Sequence, residues 1–213
     1  MPELFLEIGA EEIPSRFMSL ALGYLEQEIP SFLKKNRIRA SKPRVMGSPR
    51  RLVISFDEVG NQQEDIVETH FGPNVKLAYD EKGNPTKSAL GFARGKGIDP
   101  SQLTLENTPK GEVVCARIEK AGQPTSTILN NFFPILISKI PFPKKMRWGS
   151  RETPFVRPLH WIVALFGSKP LSFSYEGIPC ADVSRGHRFM RSDFFKVNGM
   201  VDYLKSCEEH FLM

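Results

Sequence analysis

Residues 156–166, Val-Arg-Pro-Leu-His-Trp-Ile-Val-Ala-Leu-Phe, are the most apolar stretch of the chain and determine how its fold is organised. From Trp161 to Phe166 every residue is apolar, so both faces of a strand formed here would be buried. The stretch has the length of a strand and is far shorter than the roughly 20 apolar residues that cross a bilayer. It therefore predicts a central strand of a sheet, in a protein without a membrane segment.

Shorter alternating patterns predict further strands on the N-terminal side of this stretch. Apolar residues alternate with others at residues 4–8, 51–59 and 112–119. Residues 66–71 are expected to be the antiparallel neighbour of the strand at 51–59. Together these segments predict a sheet that is mostly antiparallel.

Apolar residues spaced by three and four positions predict helices between the strands. The predicted helices begin near Ser15, Thr86, Thr125 and Gly199. Pro30 lies within the first of them and removes a backbone donor, so we expect a kink or break near Glu26. Strand pairs and helices in this mixture indicate an α+β fold with helices packed on the sheet.

A segment rich in proline and lysine at residues 139–154 predicts a boundary between two subdomains, 1–140 and 141–213. The second subdomain contains the sequences KKMRWG (144–149), RPLHW (157–161) and RGHRF (185–189). The last helical pattern continues to Met213 without a glycine or proline to end it. We therefore expect the chain to be a piece of a longer protein, truncated at its C-terminus.

The composition is that of a globular protein, with 40% hydrophobic and 25% charged residues. Cys115, Cys180 and Cys207 are far apart and odd in number, which predicts free thiols and a cytoplasmic location. Neither the cysteines nor the four histidines have the spacing of metal ligands. We therefore predict no metal site.

Positive charge is concentrated in three segments, although the net charge is only +5. Residues 34–51 contain eight bases and no acid, residues 139–157 six bases and one acid, and residues 185–196 four bases and one acid. Residues 1–33, in contrast, contain six acids and one base. Such segregation raises the odds of a polyanionic partner, usually a nucleic acid, and a basic surface that is merely solvated is the alternative.

Two glycine- or acid-rich motifs are better explained by local structure than by chemistry. In Gly91–Gly97, a glycine follows Lys96 where a phosphate-binding loop needs serine or threonine, so the segment is interpreted as a helix C-cap. Glu11 and Glu12 are adjacent just before a predicted helix, where acids favour its positive end. Neither motif predicts a catalytic site.

Two basic motifs leave alternatives open. Residues 184–189 place His187 between two arginines beside a glycine, which suits either phosphate contact or a turn whose arginines pair with acids. Residues 144–149 combine cations with Trp148, which suits RNA backbone contact with base stacking. Alternatively, Trp148 and Met146 belong to the core and the cations extend to solvent.

These segments, taken in order, resemble the glycyl-tRNA synthetase beta subunit family. The matching segments are Phe5–Pro14, Ser48–Leu52, Gly83–Lys87, Gly91–Arg94, Thr108–Glu112, Pro141–Gly149, Phe155–Trp161 and Arg185–Phe189. They cover residues 5–189, and none of them is catalytic. The chain is therefore identified as similar to the N-terminal region of such a subunit.

The resemblance implies a role in the ATP-dependent attachment of glycine to tRNA(Gly). It implies a heterotetramer in which the alpha subunit carries the catalytic site and uses ATP and Mg²⁺. The beta subunit would contribute to tRNA binding and to assembly with the alpha subunit. This region alone would have no catalytic residue, no cofactor and no aminoacylation activity.

Two other functions stay open at this point. The first is an editing-type hydrolytic domain acting on aminoacyl-tRNA, which would need His187 or His160 beside a nucleophile or water. The second is a scaffold for assembly that makes no contact with RNA.

From charge and motif membership we predict tRNA contacts by eight basic residues. They are Arg50, Arg51, Lys144, Lys145, Arg147, Arg157, Arg185 and Arg188. These residues are far apart along the chain, so the prediction requires that folding gathers them on one surface.

Overall fold

The computed structural model describes residues 1–109, 111–150 and 152–212, which form two compact units. The first unit comprises Met1–Gln63 and Gln123–Met213, and the second comprises Glu64–Gly122. This division differs from the boundary predicted at residues 140/141. The reason is that Leu4–Ala10 and Leu159–Phe166, on opposite sides of that boundary, pair within one sheet.

The fold is α+β and mostly antiparallel, as the sequence predicts. The strands are β1 (Leu4–Ala10), β2 (Pro43–Ser48), β3 (Arg51–Phe56), β4 (Ile66–Asn74), β5 (Thr104–Thr108), β6 (Gly111–Lys120), β7 (Leu159–Phe166), β8 (Lys169–Pro170), β9 (Ser174–Tyr175), β10 (Ile178–Ala181), β11 (Val183–Arg185) and β12 (Phe194–Lys196). The helices are α1 (Ser15–Lys35), α2 (Val75–Ala78), α3 (Lys87–Lys96), α4 (Thr125–Lys139) and α5 (Met200–Glu209), with a short 3₁₀ helix at Pro100–Gln102. Within the described residues, no helix combines the length and the apolar character needed to cross a membrane.

The main sheet of the first unit has the strand order β2-β3-β1-β7-β10-β9, with β8 added beside β7. β1 pairs antiparallel with both β3 and β7, whereas β10 pairs parallel with β7. β7 therefore has neighbours on both sides, as its apolar sequence predicts.

Side chains along each strand point alternately to the two faces of the sheet, and each face contributes to its own hydrophobic core. Both faces are therefore covered. Helices α1 and α4 pack on one face against residues such as Leu6 of β1 and Ile54 of β3. Helix α5 and the β11–β12 hairpin pack on the other face, against residues such as Phe5 and Val163. Every residue of β1 is consequently buried.

Two predictions about these elements were wrong. Residues 66–71 do not pair with β3, because β4 belongs to the second unit and pairs with β6 there. The strands beside β3 are instead β1 and β2, and β2 has no clear apolar alternation in its sequence. Helix α1 continues through Pro30 to Lys35, so the predicted break near Glu26 was wrong, whereas the kink stays a prediction.

The second unit consists of the antiparallel sheet β4-β6-β5 and the helices α2 and α3. Its small core contains Ala78, Ala89 and Val114. Gly97 ends α3 in the left-handed conformation (φ +70°), as the C-cap interpretation predicts.

The chain leaves and re-enters the first unit at neighbouring points. The Gln63 N–H donates to the carbonyl of Gln123 (3.0 Å), and the Thr125 N–H donates to the carbonyl of Asn61 (2.9 Å). The Thr125 hydroxyl also donates to the carbonyl of Gly60 (2.6 Å). The second unit is therefore an insertion between β3 and α4 whose two ends are joined by hydrogen bonds.

Gly9 provides a test of the packing between β1 and β7. A Cβ atom at Gly9 would lie 2.0 Å from Cε2 of Trp161, which is its cross-strand partner. We predict that Gly9→Ala lowers the free energy of unfolding by about 1–3 kcal/mol, because the indole must shift. Urea denaturation measures this change.

Gly23→Ala is the matched control for that substitution. Gly23 lies in α1 with no heavy atom within 4 Å of the added Cβ, so alanine there should stabilise the helix by about 0.5–1 kcal/mol. Equal effects of the two substitutions would contradict the proposed packing of Trp161 over Gly9.

Candidate nucleic-acid interface

Strand pairing brings several predicted residues to one end of the main sheet. Gly9 lies opposite Arg51 of β3 on one side and opposite Trp161 of β7 on the other. The guanidinium carbons of Arg50, Arg51 and Arg185 lie 5.7, 5.1 and 5.4 Å from the centre of the Trp161 ring. Three cations thus surround one buried indole, an arrangement that cation–π attraction stabilises.

Arg51 forms a buried ion pair with Glu7. Its Nε donates to Glu7 Oε1 at 2.9 Å, and the two side chains are only 5% and 0% exposed. The Tyr203 hydroxyl donates to the same oxygen (3.2 Å), and the Arg51 guanidinium also donates to the Arg185 carbonyl. Arg51 therefore stabilises the fold with its guanidinium directed into the protein, and its predicted tRNA contact stays a prediction.

The surroundings of Glu7 act on its pKa in two opposing directions. Burial raises the pKa of Glu7 above its ordinary value. The positive charge of Arg51, followed by the nearby polar groups of Ser184, Trp161 and Tyr203, acts to lower this pKa. Oε2 of Glu7, however, has no well-formed hydrogen bond within the described residues. Arg51 is thus the main group that stabilises the charged carboxylate.

Arg185 is also turned towards the protein. Its guanidinium lies 5.4 Å from the Trp161 ring centre and 5.1 Å from that of Phe194, and its Nε is buried. Within the motif 184–189, Arg185 therefore packs between aromatic rings, whereas Arg188 extends outward.

Arg188 is bound to the two acids that follow β1. Its guanidinium donates to Glu11 Oε2 at 3.0 Å and to Glu12 Oε1 at 3.4 Å, and its side chain is 48% exposed. Glu11 Oε1 also lies 2.8 Å from His160 Nε2 and 4.0 Å from the Arg50 guanidinium. Neither acid caps α1, which has no side-chain cap hydrogen bond and no acid in its first turn.

A cleft of about 440 Å³ opens beside these groups. Its lining includes Glu12, Arg50, His187, Arg188, Phe189 and Phe211. The Phe189 side chain is 84% exposed, and its ring lies 5.4 Å from the Arg188 guanidinium. The cleft therefore combines cations with an exposed aromatic ring, as sites that bind single-stranded RNA do.

The basic motif at 144–149 divides between surface and interior. Lys144 and Arg147 are exposed, whereas Lys145 donates to the carbonyl of Ser138 (3.4 Å) and has its pKa lowered by burial. Trp148 Nε1 donates to the Phe155 carbonyl (3.0 Å), which fixes the half-buried indole. Trp148 and Lys145 thus support the loop rather than face a ligand.

Lys144 and Arg157 line a second cavity, of about 220 Å³, together with Arg16. Arg157 Nε donates to the Glu12 carbonyl (3.0 Å), and Pro14 also lines this cavity. The segment 11–14 therefore separates the two cavities. Because Arg16 is an isolated base within an acidic stretch, charge counting missed it; its position in the first turn of α1 was the signal.

Five of the eight predicted residues line the two cavities beside segment 11–14. These five are Arg50, Arg51, Arg188, Lys144 and Arg157, and of them Arg51 is almost wholly buried. Arg51, Arg185 and Lys145 are directed into the protein, and Arg147 is exposed but lines neither cavity.

Among the residues that the structure describes, Cys180 and Cys207 are not activated as nucleophiles. Burial raises the pKa of Cys180 and of Cys207 to about 11, so both are protonated thiols at neutral pH. His187 Nδ1 accepts from the N–H groups of Phe189 (3.3 Å) and Met190 (3.2 Å). These two contacts engage the Nδ1 lone pair, which is therefore not free to act as a base.

The fold is an α+β module with a basic surface beside segment 11–14, and comparison with known proteins assigns its family. Residues 4–213 match the family model of the glycyl-tRNA synthetase beta subunit, so the chain belongs to that family.

Similar proteins include two beta subunits of glycine–tRNA ligase. The subunit from Citrifermentans bemidjiense is 46% identical over 211 residues, which cover 99% of this chain. The subunit from Geobacter metallireducens is 43% identical over 213 residues, which cover all of this chain. In both comparisons the chain spans 31% of the relative's length.

The raised pKa values of Cys180 and Cys207 predict slow alkylation of the folded protein. At pH 8 about one thiol in a thousand would be ionised, so both should react with iodoacetamide at least about tenfold more slowly than a cysteine in a peptide. The rate should rise about tenfold per pH unit between pH 8 and pH 10. Peptide mass spectrometry gives the rate at each cysteine.

The urea-unfolded chain is the control, and it should react at the rate of the peptide. A rate for the folded protein that levels off near pH 8.5 would contradict the raised pKa values.

The buried ion pair predicts a large effect of removing one partner. Glu7→Ala should lower the free energy of unfolding by about 3–5 kcal/mol, because it leaves the Arg51 charge buried without a partner. Chemical denaturation measures this change. The double variant Glu7→Ala/Arg51→Met should be more stable than Glu7→Ala alone, and the reverse order would contradict the assignment.

Proposed function

We propose that this chain acts as the N-terminal region of the beta subunit of a glycine–tRNA ligase. In this proposal it binds tRNA(Gly) and contributes to assembly with the alpha subunit in a heterotetramer. The complex attaches glycine to tRNA(Gly), with ATP and Mg²⁺ used by the alpha subunit. The chain itself contributes binding and supplies no catalytic residue. Membership of the family and the names of the similar proteins support this role.

The observation that carries the RNA-binding part of this proposal is the cleft beside segment 11–14. Arg50 and Arg188 supply positive charge, and Phe189 presents an exposed ring next to Arg188. Guanidinium groups bind phosphates, and aromatic side chains stack on bases that are not paired. An unpaired stretch of tRNA suits this combination better than a double helix does.

The acids near Arg188 do not prevent phosphate binding. The ion pairs of Arg188 with Glu11 and Glu12 involve a side chain that is about half exposed. Exposed pairs of this kind contribute about 0–1 kcal/mol, so a phosphate group can replace the carboxylates. The buried pair of Arg51 is different, since breaking it costs several times more.

A role in assembly alone is the second candidate function. Phe189, Met190 and Phe194 are all exposed apolar residues, and exposed apolar side chains are typical of protein interfaces. In this case the same cleft would contact the alpha subunit rather than RNA.

The RNA-binding proposal predicts that affinity for tRNA(Gly) depends steeply on salt. With about four phosphate contacts, the affinity of the 213-residue chain should fall roughly 100-fold between 50 and 200 mM salt. Arg188→Gln and Phe189→Ser should each weaken binding about tenfold at 50 mM salt, because they remove a cation and a stacking surface. Fluorescence anisotropy with labelled tRNA measures these affinities.

Lys169→Gln is the matched control for these variants. Lys169 is exposed on β8, at the end of β7 opposite Trp161, so its substitution should change affinity by less than about twofold. A salt-independent titration would overturn RNA binding by this surface. A role in assembly alone would be favoured if the chain binds no tRNA but co-purifies with the alpha subunit, and if Phe189→Ser abolishes that co-purification.

A further inference from the structure

The cavity at the start of α1 is lined by three cations that approach from two parts of the chain. Arg16 comes from the first turn of α1, whereas Lys144 and Arg157 come from the segment that precedes β7. The remaining lining is apolar and includes Phe17 and Val156, which are both buried. The cavity therefore has a hydrophobic floor and a positively charged rim.

The three cations are not neutralised by acids of the same fold. Within the described residues, neither Arg16, Lys144 nor Arg157 forms an ion pair with a carboxylate. The Nε of Arg157 donates to the backbone carbonyl of Glu12, and the Arg16 guanidinium lies over the Phe17 ring at 5.0 Å. Arg188 on the other side of segment 11–14, in contrast, contacts two carboxylates. The positive charge of this cavity is therefore less balanced by carboxylates than that of the cleft at Arg188, which favours binding of an external anion here.

The backbone adds positive potential at the same place. Helix α1 is 21 residues long and has neither a side-chain N-cap nor an acid in its first turn. The positive end of its macrodipole, equivalent to roughly half an elementary charge, is therefore not offset by a side chain of the helix itself. Pro14, Arg16 and Phe17 line the cavity, so this potential acts on a bound group there.

The size of the cavity restricts what it can bind. Its volume of about 220 Å³ is below the roughly 300–1,000 Å³ of sites that enclose a whole small molecule. The neighbouring cleft, at about 440 Å³, falls within that range. A single tetrahedral anionic group suits the smaller cavity, and a base suits the larger one.

We propose that this cavity binds one phosphate group of an RNA backbone, with Arg16, Lys144 and Arg157 as its ligands. This inference rests on the proposed function, and it adds a separate anchoring point to the cleft. Glu12 lines the cleft and Pro14 lines the cavity, and two residues of extended chain span at most about 7 Å. One RNA strand can therefore place a base in the cleft and a nearby phosphate in the cavity.

The proposal is tested first with inorganic phosphate and the 213-residue chain. NMR titration should show saturable shifts of the Nε–H signals of Arg16 and Arg157. Arg16→Gln should weaken phosphate binding at least about tenfold, because it removes a charge-assisted hydrogen bond. Arg16→Lys should retain part of the affinity, and Lys169→Gln, which removes an equal charge elsewhere, should leave it unchanged.

A second titration identifies the source of the phosphate. A short single-stranded RNA should displace inorganic phosphate from the wild-type protein, and Arg16→Gln should weaken RNA binding as well. Phosphate binding that RNA does not displace would overturn the assignment to an RNA backbone. Equal effects of Arg16→Gln and Lys169→Gln, or the absence of saturable shifts, would overturn the site itself.

These outcomes are separate from failure of the proposed function. If the chain binds RNA through Arg188 and Phe189 but Arg16→Gln has no effect on RNA or phosphate, the cavity proposal fails alone. If inorganic phosphate binds at Arg16 but neither tRNA nor the short RNA binds, both RNA-binding proposals fail, and the cavity is then a site for a small anion.

Discussion

The buried contact between Glu7 and Arg51 is the constraint on which the arrangement of this end of the molecule depends. Glu7 lies on the face of β1 that points towards α5, and a register slip of one residue would place its carboxylate in the apolar core beneath α1 and α4. Burying an unpaired charge there would strongly destabilise the fold. The pair therefore fixes how β1 aligns with β3. That alignment in turn sets where segment 11–14 emerges.

Basic residues in this chain consequently serve two purposes that their sequence context does not distinguish. Arg51 and Arg185 are packed around Trp161 and contribute to the core, whereas Arg188, Lys144 and Arg157 face solvent. Arg51 and Arg185 lie on strands, β3 and β11, whereas the other three lie in loops. The same sheet pairing that buries one arginine places its neighbours beside the loop that follows β1.

Local patterns in the sequence were sufficient for much of the fold but only for part of the candidate site. The uninterrupted apolar run at 161–166 indicates burial on both faces, and the three- and four-residue spacing of apolar residues after Ser15 indicates a helix with one buried face. Such patterns do not identify the partner of a strand, so the pairing of 66–71 was wrong. The burial of Arg51 depends on a contact with Glu7, 44 residues away, and no local signal marks it.

The inserted unit has a consequence for how this chain can vary. Its entry and exit are joined by the hydrogen bonds of Gln63 with Gln123 and of Thr125 with Asn61. The main sheet therefore requires only that residues 61–63 and 123–125 stay adjacent, whatever polypeptide connects them. Doubling the length of a connecting loop costs only about 0.6 kcal/mol. Evolution or protein engineering can thus shorten, enlarge or exchange residues 64–122 as a cassette while the surrounding sheet keeps its register.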